Sequence, residues 1–110
     1  MILTIAEVAA RFGVTHRTLP FYEQKGMLGP RREGTRRLYD EAQVARVEAI
    51  RERRRLGFQV PEIAAMLARH GVPLPRLTPD EVAAQIAHLE RQLVEIDAAL
   101  AELRAMLPAT

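Results

Sequence analysis

Fifteen arginines and a single lysine dominate the side chains with which this 110-residue chain could do chemistry. Their placement is uneven. Arg31, Arg32, Arg36 and Arg37 flank a Glu33-Gly34-Thr35 turn, and Arg51, Arg53, Arg54 and Arg55 crowd a second short stretch. A guanidinium presents several donors in one planar fork, which suits phosphate oxygens and base edges. Residues 1–57 hold 12 basic and 7 acidic side chains, a balance of +5, whereas residues 58–110 hold 4 and 7, a balance of −3. The formal total of +2 hides that contrast. Arginine-rich codon usage accounts for much of the ratio of Arg to Lys, but not for the excess in one half. For the 51–55 cluster, favourable interaction with a helix C-terminus plus solvated charge is the competing reading.

Enzymatic chemistry finds little to work with. His16, His70 and His88 stand far apart and share no metal-ligand spacing, and no glycine-rich phosphate loop is present. The acidic residues mostly begin helices or face arginines on helix surfaces, as Glu48 and Glu52 do. With no cysteine there is no disulfide, thiolate metal site or iron–sulfur cluster. We therefore expect no catalysis, no metal and no cofactor. No apolar run approaches the roughly 18 residues of a membrane span, and the N-terminus lacks the layout of a signal peptide. The expectation is a cytoplasmic, bacterial-style protein with no membrane partner.

The elements that must carry the arginines can be read from caps and periodicity. Thr4-Ile5-Ala6-Glu7 has capping-box form. Ile5, Val8, Ala9 and Phe12 follow at helical spacing, and Gly13 stops the helix. Thr15 is a second N-cap and starts a helix through His16-Arg17-Thr18-Leu19-Pro20-Phe21-Tyr22-Glu23. Two short helices about a tight glycine turn make a helix-turn-helix. Gly26, Gly29, Pro30 and Gly34 then break any helix, and a short basic hairpin fits best up to Tyr39. Asp40 caps a third helix, with Gln43 at the reciprocal position and Val44, Val47, Ile50 and Leu56 on its buried side. A fourth starts near Val60-Pro61, buries Ile63, Met66 and Leu67, and ends at Gly71.

Residues 71–79 form a proline-rich linker between a domain over residues 1–70 and a last helix over residues 80–107. Thr78, Pro79 and Glu81 supply the N-cap, first-turn proline and capping-box acid of that helix. Val82, Ile86, Leu89, Leu93, Ile96, Leu100, Leu103 and Leu107 recur at alternating steps of four and three, a heptad seam. The seam either packs onto its own domain or pairs with a second copy. Its length favours pairing, because so large an apolar stripe is unsuited to a monomer.

For nucleic acid these parts fit together. The second helix of a helix-turn-helix offers its N-terminal residues to base edges, here Thr15, His16, Arg17 and Thr18. The hairpin arginines Arg31, Arg32, Arg36 and Arg37 could neutralise phosphates. Tyr22 and Tyr39 could donate hydroxyls to phosphate or be half-buried core residues, while Phe12, Phe21 and Phe58 are expected in the core.

Thr4-Ile5-Ala6-Glu7-Val8-Ala9, Gly13-Val14-Thr15, Thr18-Leu19, Phe21-Tyr22-Glu23-Gln24-Lys25-Gly26 and Arg37-Leu38-Tyr39 resemble the N-terminal domain of MerR-family transcription regulators. So do Leu56-Gly57-Phe58, Glu62-Ile63 and Leu67; the likeness runs in register over about residues 2–70. The resemblance implies a mainly α fold: a winged helix-turn-helix with a β-hairpin wing, followed by a long coiled-coil dimerisation helix, antiparallel in the dimer. It implies a homodimer that binds double-stranded DNA at inverted-repeat promoter sites. Bending and untwisting of the spacer would let RNA polymerase engage both promoter elements. By position, Arg17 would read bases, Tyr22, Arg37 and Tyr39 would grip phosphates, and Arg54 would clamp the backbone from a second wing.

Two departures stand out. Pro20 occupies a position where the family usually has Arg, and the wing glycine, Gly34, comes one place early. With Thr15 as N-cap, Pro20 is the fifth helical residue. The expected consequences are a kinked recognition helix, a Leu19 displaced from helical geometry, and one basic side chain fewer to offer DNA. Only Pro108, Ala109 and Thr110 follow the last helix, so metal, redox and large-drug sensing in the family's usual styles are not expected. The alternative function is an architectural or protein-interaction module whose coiled coil recruits another chain, with weak non-specific DNA binding.

Overall fold

Thr4 starts the first helix as its sequence demands. Its Oγ1 accepts from the Glu7 N–H at 3.3 Å, and the Glu7 carboxylate accepts from the Thr4 N–H at 3.0 Å. Both bonds satisfy donors that a helix start would otherwise leave open. In the computed structural model, which describes residues 1–109, the order is β1 (Leu3–Thr4), α1 (Ile5–Phe12), α2 (Thr18–Gln24), β2 (Arg31–Glu33), β3 (Arg36–Tyr39), α3 (Glu41–Arg55), α4 (Val60–His70) and α5 (Pro79–Ala105). The chain divides into two compact units, residues 1–75 and the segment from Arg76 onward. Pro73 and Pro75 thus belong with the first unit, beyond the boundary expected at residue 70.

The hairpin expected from the glycines and arginines is present, and it carries an unforeseen third strand. β3 is central: Arg31 pairs with Leu38, Arg32 with Arg37 and Glu33 with Arg36 on one side, and Leu3 pairs with Tyr39 and Thr4 with Leu38 on the other, all antiparallel. The two-residue loop Gly34-Thr35 has φ +66° at Gly34 and no positive φ at Thr35, the pattern of a type II′ turn whose twist matches paired strands. Placing Gly34 first in the loop is what this turn requires.

α1 packs against β3 and α3, and α3 against α4. The core of the first unit comprises Val8, Ala9 and Phe12 of α1, Leu19 of α2, Met27 and Leu28, Tyr39, then Val44, Val47 and Ile50 of α3, Phe58, and Ile63 and Leu67 of α4. Leu56 and Met66, expected inside, are half-buried. Asp40 caps α3 through Gln43 N at 2.9 Å. The Gln43 side chain does not return the bond; it accepts from Gly29 N at 2.7 Å, while Arg46 Nε donates to the Met27 carbonyl at 2.7 Å. α3 therefore holds the α2–wing connection by two polar contacts as well as by packing.

α5 follows its signals closely: Thr78 Oγ1 accepts from Glu81 N at 3.1 Å and Glu81 accepts from Thr78 N at 2.9 Å. Its 27 residues make a rod of about 40 Å. None of its residues is buried, and the seam from Val82 to Leu103 is 38–60% exposed. Leu107 lies beyond the helix end at Ala105.

Candidate nucleic-acid interface

α2 begins later than its sequence suggests. Thr15 Oγ1 does accept from Thr18 N, at 3.3 Å, but Thr18 N also bonds the Thr15 carbonyl at 3.1 Å, a single tight turn. The first four-residue bond is Phe21 N to the Arg17 carbonyl at 3.2 Å, so Arg17 is the N-cap and Pro20 the third helical residue. The cause is Pro20 itself: it has no N–H for the His16 carbonyl, so regular helix can start only after that carbonyl. No mid-helix kink results. Leu19 is helical and fully buried, contrary to the displacement expected before a proline.

The delayed start leaves His16 and Arg17 exposed at the helix entrance. Thr18 is held by a 2.8 Å bond between its hydroxyl and that of Thr15. Arg17, Thr18, Phe21 and Tyr22 then line a concavity of ≈ 370 Å³ with Arg54, from the end of α3, and Val60, from the start of α4. Four of the expected contact residues thus share one depression: Arg17, Thr18, Tyr22 and Arg54. Arg54 is steadied there by a 2.9 Å bond from Nη1 to the Phe58 carbonyl.

The wing arginines divide in two. Arg31 and Arg36 are exposed. Arg37 Nε and Arg32 Nη2 instead grip the two oxygens of Glu23, at 2.7 and 3.0 Å. Glu23 lies near the end of α2, so one carboxylate fastens both strands of the hairpin to the recognition helix. The Arg37 bond, with help from Arg32, holds the Glu23 carboxyl below its ordinary pKa.

Of the two places open to Tyr39, phosphate donor or core residue, the fold gives it a buried one. It is 0% exposed and its hydroxyl is buried without a hydrogen-bond partner. Burial pushes its pKa up. As the last residue of β3 it alternates inward, so it serves packing rather than the exposed face. The arginine cluster of α3 also splits: Arg53 is 9% exposed and gives Nη2 to the Pro75 carbonyl at 2.7 Å. Arg55 pairs with Glu52 at 2.6 Å, and the pair lowers the Glu52 pKa and raises that of Arg55.

Two residues of the interface escape sequence reasoning. Phe21, assigned to the core, is 42% exposed. At 100° per residue it lies on the far side of α2 from buried Leu19, a signal that helical geometry supplies. Glu23 gives no such sign, because its partners lie 9 and 14 residues away. Among the described residues no cluster of three His, Cys, Asp or Glu side chains could hold a metal, and no helix is long and apolar enough to cross a membrane.

The MerR HTH regulatory-protein family model matches residues 3–70, and the MerR DNA-binding model matches residues 44–107. The chain belongs to the MerR family. MerR-type relatives include an uncharacterised HTH-type transcriptional regulator of Synechocystis, 32% identical over 96% of this chain and 75% of its own length. The HTH-type transcriptional regulator CueR of Salmonella typhi is 28% identical over 94% of this chain and 78% of its own. Nodulation protein NolA of Bradyrhizobium is 46% identical over 54% of this chain, but that match spans only 26% of NolA. Among solved structures, a MerR-family regulator from Bacillus cereus superposes with TM-score 0.68 at 26% identity, covering 96% of this chain and 76% of the other. A lead(II)-bound regulator from Ralstonia metallidurans gives TM-score 0.61 at 31% identity, covering 98% and 90%. A MerR-family regulator lacking its sensor domain, solved on promoter DNA, shares the fold at TM-score 0.58 and 20% identity over 96% of this chain and 77% of that one. The chain is thus a DNA-binding MerR-family transcription regulator with a winged helix-turn-helix, and the Synechocystis and Salmonella relatives are HTH-type transcriptional regulators.

Proposed function

We propose that this MerR regulator works as a homodimer that binds an inverted-repeat promoter site and acts by bending and untwisting the DNA between half-sites. The observation that carries the reading is the shared depression of Arg17, Thr18, Tyr22 and Arg54 on a unit whose side chains sum to net positive charge. A recognition helix set in a cationic concavity matches a duplex groove bordered by phosphates. Arg17 and Thr18, with His16 beside them, meet base edges. Tyr22, Arg54 and the exposed wing residues Arg31 and Arg36 meet backbone, Arg37 holds the wing to α2 through Glu23, and Thr15 positions Thr18.

The seam of α5 supports pairing with a second copy, because its apolar side chains are left exposed along the whole helix. An inverted repeat follows from such a pair, since the symmetry of the site mirrors that of the protein. Distortion of the spacer and engagement of RNA polymerase, in the cytoplasm, rest on family membership.

Selection of bound sequences from a random duplex pool tests the reading. An enriched palindrome, preferred over random DNA by about 10³ or more, is expected. An unenriched pool with a steep salt dependence would instead mark a merely basic surface. A circular-permutation gel-shift assay with the selected site then reports the bend.

A further inference from the structure

Phe21 breaks the burial pattern of its own unit. Among the described residues between Leu3 and Pro75 it is the one large apolar side chain that the fold leaves exposed, at 42%. It is not stranded on a neutral surface. Arg17 lies one turn before it and Lys25 one turn after, and Lys25 Nζ stands 5.4 Å from the ring centroid, a cation–π distance. Tyr22 flanks it with ring centroids 5.9 Å apart. The ring also lines the depression that holds Arg17, Thr18 and Arg54.

An apolar ring bracketed by cations is a poor match for an apolar protein groove. It is a good match for a polyanion that displays an apolar group, and the major groove displays one: the C5-methyl of thymine. Building on the reading of α2 as the recognition helix, we propose that Phe21 is a specificity residue that packs on a thymine methyl. One helical turn is 5.4 Å and a base step 3.4 Å, so that thymine lies within about two base pairs of the step met by Arg17. Lys25 braces the ring and keeps it from folding back along the helix.

The test uses the site won from the random pool, with each thymine replaced in turn by uracil, which removes the methyl alone. Affinity is measured by fluorescence anisotropy at one salt concentration for the full chain and for Phe21→Ala and Phe21→Leu. Because Phe21 is exposed, both variants should keep the parent's circular dichroism and melting. At one thymine per half-site the parent is expected to lose about fourfold, the ratio that follows from burying one methyl-sized group. Phe21→Ala should bind the thymine and uracil sites equally, and Phe21→Leu should keep part of the difference. An enriched site in which no uracil changes affinity overturns the proposal, as does a half-site without thymine. A loss that persists undiminished in Phe21→Ala does the same. A pool that enriches no site overturns the promoter-binding reading itself, and this proposal with it.

Discussion

Replacing Glu23 by Gln should weaken the fold and strengthen indiscriminate DNA binding at once. Its carboxylate accepts 2.7 and 3.0 Å bonds from Arg37 and Arg32. Glu23 and Arg37 are both about three-quarters buried, whereas Arg32 is half exposed. A hydrogen bond between charged, partly buried groups contributes about 1.5–3 kcal/mol, and a half-exposed pair less than about 1 kcal/mol. Glutamine keeps one accepting oxygen, so the expected net loss is about 1–2 kcal/mol, or roughly 5–15 °C in melting temperature for a domain of this size. On DNA the sign reverses. The balance of residues 1–57 moves from +5 to +6, and two guanidiniums lose their carboxylate. Each one that gains a phosphate steepens the dependence of log affinity on log salt by about 0.9. Thermal melts, together with titrations of random and selected duplexes between 50 and 200 mM salt, read both effects. An unchanged melting temperature with an unchanged slope would refute the reasoning, and so would a shallower slope on random DNA.

Other outcomes follow from the same geometry. Glu7, Glu23 and Glu52 all have folded pKa values below the usual 4.5: Glu7 through its bond from the Thr4 N–H, Glu23 through Arg37 and Glu52 through Arg55. Their contribution is therefore complete above 4.5 and lost as pH falls through the lower folded values. The melting temperature should hold steady from pH 7 to about 5 and decline below 4.5, and Glu23→Gln should remove part of that decline; equal slopes in parent and variant would count against the Glu23 share. Pro20→Ala gives residue 20 an N–H that the His16 carbonyl can accept, a gain of about 0.5–1.5 kcal/mol that offsets the about 0.4–1 kcal/mol lost as the unfolded chain becomes freer. α2 should therefore start earlier, with a net stability change below about 1 kcal/mol in denaturant unfolding; an unprotected residue-20 amide in hydrogen exchange would mean that the proline does not set the helix start. Leu93→Glu with Leu100→Glu should reduce the sedimenting mass from two chains to one of 12.4 kDa, and a mass unaffected by both charges would remove the seam as the pairing surface.

Local signals were the legible ones. Thr4 with Glu7, Asp40, and Thr78 with Glu81 all cap where their spacing places them, because each bond closes within three residues. The seam of α5 was equally plain, since its period belongs to one helix. What stayed hidden depended on distant partners. β1 is two residues long and exists only because β3, more than thirty residues on, pairs with it. Gln43 had a local role open to it and took a tertiary one with Gly29. The arginine clusters marked a cationic half correctly, yet they could not distinguish Arg53, drawn inside by the Pro75 carbonyl, from Arg54, left on the exposed face. In α2 the presence of a helix was legible and its first residue was not, because a proline competed with a good capping threonine.

The wing is anchored on two sides, and that bears on the cost of reaching for DNA. Thr4 pairs with Leu38 in the sheet and also caps α1, while Glu23 ties both hairpin strands to α2. The hairpin cannot swing as a free flap without giving up strand pairing, a helix cap and an ion pair together. Its ordering is completed during folding, so little conformational entropy remains to be lost on contact with a duplex. Amide exchange at Leu38, in the central strand, should accordingly be as slow as in the surrounding core before any DNA is added. On the proposed reading, then, the wing would meet its target as a rigid die rather than as a closing hand.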